Sequence, residues 1–382
     1  MSFQLSSEQE AVRDVVREFG ENEIRPVARE HDESREYPDD LVEEAAQYDL
    51  VAPTIPEEYG GAGMDLLTSV VVTEELWRAD PGIGSAIGSR GFGTTMIQEF
   101  GDEWMKEEWL PKVAAGDAAT CSCISEPAHG SDVAGIETRA EHDEEAGEWV
   151  LNGDKMWITN GTIADVAVVM AKTSPGERHR GITAFLVEAD REGFEPTKID
   201  NKLGIRASDL AEIRLDDVRV PEENVIGAVD QGFYQLMAFF AGGRTSVAAQ
   251  AVGAAQGALD AAIEYAEERE QGGQQIKEYQ AISHKVAEMA TNVEAARSLT
   301  YRAASVVDAD GNDQLAAKFA SMAKLFASER AVEVADEGIQ VHGGAGFVTD
   351  HPAERFYRDA RITKIYEGTS EIQKNIISDQ VF

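Results

Sequence analysis

Cysteine is almost missing from this sequence: Cys121 and Cys123 are the only two. That is too few for a disulfide framework, and no second pair stands at metal-ligand spacing. Lysine is scarce as well, supplying twelve of the 34 basic residues. No apolar run is long enough to span a bilayer. The opening stretch, MSFQLSSEQEAVRDVV, has neither a basic segment nor an apolar one, so no signal peptide is expected. These absences predict a cytoplasmic protein without a metal centre.

Acid is abundant. Seventy-one Asp and Glu against 34 Lys and Arg leave a net charge of −37. Such an excess repels nucleic acid and anionic membranes. It is spread over every segment, including helix faces such as YAEERE, rather than gathered in a tail. A dispersed acidic, lysine-poor surface predicts adaptation to high salt, where screening suppresses the self-repulsion. With 43% hydrophobic residues the chain can nevertheless bury several packed layers, so it folds rather than staying disordered.

At 382 residues the chain should hold two or three domains. Residues 1–117 read as helices. Ser7 and Glu10 have capping-box spacing before the stripe Val12, Val15, Val16 and Phe19, and Asp65 can cap LLTSVVVTEELW. Residues 118–228 lose the helical period. EWVLNGDKMWIT reads as strand, Asn-Gly turn and strand, and DVAVVMAKT, GITAFLVEA and LAEIRLDDVRV as further β runs. A small barrel or sandwich is expected there. Residues 229–382 return to long, Ala-rich helices whose small residues permit close packing in a bundle, with apolar faces left over for another subunit.

Several stretches carry chemistry-bearing residues. CISEPAHGSD offers the Ser125 and Ser131 hydroxyls and exposed backbone N–H groups around Gly130, suited to an anion or the edge of a heterocycle, although strand-turn chemistry alone also explains it. In KMWITNG, alternation places Trp157 and Thr159 on one strand face; a flat polar ring would suit them, and a buried core Trp is the plainer reading. QVHGGAGF follows a helix and reads as a C-terminal cap or as close backbone approach to a ligand; His342 has no ligand-spaced partner for a metal. Arg269, in EEREQGG at a helix end, can complement the helix dipole or grip a phosphate. Glu367, in KIYEGTSEIQ, sits between an aromatic residue and a Gly-Thr turn.

Taken in order, SEPAHGSD, KMWITNG, KLGIRAS, GGRTSVAAQAVG, EYQAI, QVHGGAGF, RDARI and IYEGTSEIQ resemble the acyl-CoA dehydrogenase family, from about residue 4 to about residue 380. The resemblance implies a multidomain α+β fold: an N-terminal α-helical domain, a central β-barrel and a C-terminal four-helix bundle. It implies FAD held between barrel and bundle, an acyl-CoA substrate, electron-transfer flavoprotein as acceptor, and a homotetramer or sometimes a dimer. Ile124, Ser125, Trp157 and Thr159 are implied against the flavin ring. Arg269, Gln280, Gln340, Gly344, Thr369 and Glu371 are implied near the dinucleotide part, and Ser131, Arg244, Tyr366 and Glu367 around the thioester and acyl chain. One position departs from the pattern: Gly272 stands where members usually carry an aromatic residue.

The resemblance makes Glu367 the base that removes the α-proton, with its backbone N–H donating to the thioester oxygen. Burial beside an acyl chain would raise its pKa toward the proton it must take. Some relatives place the base just before the Arg aligned with Arg244, but here that neighbour is Gly243, which has no carboxylate. Two other readings stand beside this one: an acyl-CoA oxidase that returns electrons to oxygen, and a cofactor-free helical assembly that kept the fold.

Overall fold

A computed structural model describes residues 5–174, 176–309 and 313–382; the first four residues of the expected N-terminal part lie outside these. The chain begins with helices α1 (Ser7–Phe19), α2 (Ala28–Ser34), α3 (Asp39–Ala46), α4 (Leu66–Ala79), α5 (Pro81–Gly88), α6 (Thr94–Phe100) and α7 (Glu103–Ala114). The capping box exists one residue earlier than the sequence suggested. Ser6 Oγ accepts from Gln9 N, and Gln9 Oε1 accepts from Ser6 N. Val16 and Phe19 are buried as expected, whereas Val15 is exposed. Asp65 caps α4 by accepting from Thr68 N at 2.8 Å.

The middle of the chain forms β1 (Thr120–Cys123), β2 (Arg139–Asp143), β3 (Glu148–Thr159), β4 (Val166–Lys172), β5 (Ile182–Glu188), β6 (Phe194–Lys198), β7 (Leu210–Pro221) and β8 (Val225–Ile226). They make one eight-stranded sheet in the order β6-β7-β3-β2-β4-β5-β8, with β1 added parallel to β4. The expected Asn-Gly hairpin does not form. EWVLNGDKMWIT is a single twelve-residue strand, and Asn152-Gly153 marks a register shift against β7. Gly153 is needed for close approach rather than for a turn: a Cβ there would lie 2.5 Å from Thr138 Oγ1. One apolar face of the sheet carries Phe185, Ile213 and Val218, and the other packs Val168 and Leu186 against Ile97, Met105 and Leu110 of the N-terminal helices.

The remainder is α8 (Gly232–Glu268), a two-stranded ribbon of β9 (Glu270–Gln271) and β10 (Gln274–Gln275), then α9 (Gln280–Asp308), α10 (Asp313–His342), α11 (Ala353–Ala360) and α12 (Ser370–Val381). Ala248, Ala251, Ala255, Ala258 and Ala262 of α8 are all buried in the core shared with α9 and α10. Among the described residues no helix is long and apolar enough to cross a membrane.

Charged pairs stitch the N-terminal helices to the C-terminal ones. Arg297 Nε donates to Glu74 at 2.7 Å, Arg355 Nε to Asp80 at 2.7 Å and Arg358 Nη2 to Asp32 at 2.7 Å. The stretches KLGIRAS and RDARI meet here, because Ile205 N donates to Asp359 Oδ1 at 2.6 Å. Burial, with Asp80 nearby, pushes the Asp359 carboxyl up to about 8.

Candidate active site

The Glu367 turn joins the short helix Arg361–Lys364 to α12. Glu367 has φ 51° and Gly368 φ 89°, two successive left-handed residues. For a residue with a Cβ this costs of order 1–3 kcal/mol, and it persists only where the surroundings enforce it. The enforcement is visible. Thr369 Oγ1 caps α12 by accepting from Ile372 N. Gln373 Nε2 donates to Glu367 O at 3.1 Å and to Gly368 O at 2.7 Å, while Lys324 Nζ donates to Gly368 O at 2.6 Å. Ser370 Oγ donates to Glu329, which also receives Lys364.

This turn aims the carboxylate inward. Glu367 Oε2 is sealed from solvent and has no hydrogen-bond partner among the described residues. Burial raises the carboxyl to about 7, against the opposing pull of Arg244 and Lys324. Gly243, on α8, faces it: a Cβ at position 243 would come within 2.8 Å of Oε2. Beside Gly243, Arg244 is buried, with its Nε unpartnered and its guanidinium 5.2 Å from the Phe240 ring centre. Tyr366 also meets α8, donating its hydroxyl to Gln250 Oε1. No protein acceptor among the described residues takes the Glu367 N–H. The turn thus carries a base near neutrality set against Gly243 of α8, and a backbone donor without a protein acceptor among the described residues.

A second group gathers on the sheet. Met156 N donates to Ser125 O at 2.9 Å, and Lys155 Nζ bridges Ile124 O and Glu126 Oε1, so the Ile124–Glu126 segment lies against the end of β3. Trp157 is not the buried core residue that the plainer reading preferred. It is 61% exposed, has φ 63°, and stands at a bulge between Lys155 and Ile158 where strict alternation fails. Ile158 points into the core, while Thr159 is half-buried. The hydroxyls of Ser125 and Thr159 make no protein hydrogen bond among the described residues, and Ser122 Oγ is buried without a partner. An exposed indole in a strained conformation, beside uncommitted hydroxyls, fits a flat ring with polar edges such as the isoalloxazine of FAD.

The other candidates lie farther out. Arg269 caps the end of α8, and its exposed guanidinium has no ion-pair partner among the described residues. Gln280 opens α9, Gln340 lies in the last turn of α10 and Gly344 in the short helix after it; all three are exposed. Glu371 is in the first turn of α12, and Ser131 is an exposed loop residue. No hydrogen bond or ion pair ties these to Glu367. Gly272 tips the β9-β10 turn, and the space a Cβ would need there holds the Tyr279 hydroxyl, 2.6 Å away. Tyr279, 39% exposed, thus presents an aromatic ring beside the position that lacks one.

Sequence reasoning missed Lys324, Gln250, Gln373 and Lys155. For Lys324 a signal existed. It shares a helix face with Ala320, Ala327 and Ala331, all buried, and lysine on such a face calls for a partner.

Known proteins bear directly on this arrangement. Residues 6–117 match the acyl-CoA dehydrogenase N-terminal domain, residues 121–218 the middle domain and residues 230–382 the C-terminal domain. The chain is 41% identical over 379 residues to the mitochondrial short-chain specific acyl-CoA dehydrogenase of Rattus norvegicus, covering 99% of this chain and 90% of the relative. It superposes on butyryl-CoA dehydrogenase from Megasphaera elsdenii with a TM-score of 0.95, at 36% identity and with both chains fully covered. A glutaryl-CoA dehydrogenase from Mycobacterium smegmatis, solved in complex with FADH2, aligns with a TM-score of 0.92 at 32% identity, over 99% of this chain and 95% of its own. The ordered motifs, the three-part fold and these matches agree: the chain belongs to the acyl-CoA dehydrogenase family.

Proposed function

We propose that the protein catalyses FAD-dependent α,β-dehydrogenation of a short acyl-CoA thioester to the trans-2-enoyl-CoA, passing electrons to electron-transfer flavoprotein as a cytoplasmic homotetramer. The observation that carries this reading is the Glu367 carboxylate, whose Oε2 is sealed and unpartnered among the described residues, with its pKa brought to about 7. The short-chain relative supports the chain length. The reading divides the chain at 1–117, 118–228 and 229–382, with the cofactor between the second and third parts.

Ile124, Ser125, Trp157 and Thr159 would hold the flavin ring, and Arg269, Gln280, Gln340, Gly344, Thr369 and Glu371 the dinucleotide part. Bound FAD supplies the two-electron acceptor for the hydrogen that leaves Cβ. Ser131, Arg244 and Tyr366 would border the substrate. The Glu367 N–H donates to the thioester oxygen and stabilises negative charge growing there. Glu367 Oε2 takes the α-proton; the Cα–H electron pair becomes the Cα=Cβ bond as the β-hydrogen departs with its own pair. Gly243 leaves room for the carboxylate to lie against α8, and burial of Oε2 keeps water from competing for the proton.

Glu367→Gln is the test. The amide is nearly isosteric, so yellow colour and acyl-CoA binding should persist. Flavin bleaching by butyryl-CoA in rapid mixing should fall by more than the roughly 10²–10⁴ typical of losing a general base, because position 243 offers no substitute. Gly243→Glu in that background should restore part of the rate, since it faces the same space. Bleaching at the wild-type rate in Glu367→Gln refutes the assignment, and peroxide release matching substrate turnover would make the enzyme an oxidase instead.

A further inference from the structure

Lys324 is an unusual lysine. It projects from α10 into the Ala-lined interior with no exposed surface, and its Nζ meets Gly368 O at 2.6 Å. That carbonyl is neutral, so it satisfies one of three N–H donors and none of the charge. A buried ammonium with a single neutral acceptor is costly unless a counter-charge stands close. The negative groups that face it are Glu367, first, and then Glu329 and Glu371; Arg244 is the opposing cation. Glu329 is already engaged by Lys364 and Ser370, and Glu371 is exposed. The counter-charge is therefore Glu367 itself.

Resting on the dehydrogenase reading of Glu367, we propose that Lys324 is a positioning residue that holds the left-handed Glu367–Gly368 turn by its bond to Gly368 O and keeps the base ionised by its charge. The two roles separate cleanly. The hydrogen bond, shared with Gln373 Nε2 on the same carbonyl, fixes where the carboxylate points. The charge sets the pH at which it can accept a proton. Burial lowers Lys324 to about 8, so it is a cation where Glu367, near 7, titrates. Arg244 supplies the larger share of the positive field on Glu367, and Lys324 adds to it.

Lys324→Met removes both bond and charge, Lys324→Gln restores a donor without charge, and Lys324→Arg restores charge. The readout is the pH profile of flavin bleaching by butyryl-CoA. In Lys324→Met the acidic limb should move up by about one pH unit, and the plateau should drop about 10–100-fold as the carboxylate loses its aim. Lys324→Gln should recover plateau but not limb, and Lys324→Arg should recover the limb. A limb unmoved in both neutral variants, or moved as far in Lys324→Arg, overturns the proposal; should the Met variant not fold, the Gln variant carries the comparison. A second readout needs no turnover. In flavin-stripped protein, the protonated-carboxyl infrared band lost in Glu367→Gln should titrate at higher pH in Lys324→Gln than in wild type, and an unmoved band likewise overturns it. If wild type fails to bleach at all, the dehydrogenase reading fails, and the infrared titration still decides what Lys324 does to Glu367.

Discussion

At the scale of single residues, Glu367 trades stability for basicity. Its folded-state pKa of about 7 lies above the ordinary glutamate value, because burial disfavours the ion. The folded protein therefore binds more protons than the unfolded chain between roughly pH 4 and pH 7, and stability falls as pH rises through that window. The catalytic rate moves the opposite way, rising as the carboxylate ionises. Glu367→Gln removes the penalty and should make flavin-stripped protein more stable than wild type at pH 8, by roughly 1–3 kcal/mol, with little gain at pH 4. Thermal melts at the two pH values check this; an equal gain at both would mean the carboxyl does not titrate in the folded state. Sequence made Glu367 findable only through its motif. Its left-handed backbone and its neighbours Lys324 and Gly243, 43 and 124 positions away, arise from helix packing that local pattern does not encode.

At the scale of elements, helix periodicity and caps were legible while strand punctuation was not. Asp65 announced α4 because a side-chain cap is a local interaction. Asn152-Gly153 misled because Gly serves close approach to a neighbouring segment, here Thr138 just before β2, as readily as it serves a turn. Trp157 misled in the opposite sense: an aromatic residue on a strand is ordinarily core, and only the bulge turns this one outward. The end of α8 was read correctly, with Arg269 as its C-cap. Its guanidinium, unpaired among the described residues and beside the β9-β10 turn, suits a pyrophosphate group. Arg269→Ala should lower flavin content after gel filtration while leaving activity per bound flavin close to wild type. Unchanged flavin content would reduce Arg269 to a helix-terminal charge.

At the scale of the molecule, charge dominates. A net −37 on a single chain generates self-repulsion that low ionic strength does not screen. The pairs that join the parts, Glu74–Arg297, Asp80–Arg355 and Asp32–Arg358, are buried or nearly so and feel salt less. Removing salt should therefore strain the assembly mainly through its exposed carboxylates. Dialysis from molar to millimolar salt should lower the melting temperature and dissociate the proposed tetramer, followed by calorimetry and light scattering; an unchanged melting temperature and mass would sink the idea of a salt-adapted surface. The broad order of helices, sheet and helices was readable because each part keeps its own hydrophobic period over many residues. The single branched sheet and the partners that cross between parts were not, since strand pairing joins residues tens of positions apart and the crossing pairs residues hundreds apart.

Those crossing pairs also set a timetable for synthesis. Asp32 meets Arg358 across 326 positions and Asp80 meets Arg355 across 275. At roughly 5–20 residues per second of translation, the N-terminal helices wait of order tens of seconds before their arginine partners leave the ribosome. During that interval Asp32 and Asp80 have no arginine partner from α11, and the face they occupy cannot close. Water must solvate them, and the nascent chain is open to capture by chaperones or by another copy of itself. Completion of the native docking thus belongs to the last few dozen residues, the same segment that delivers Glu367.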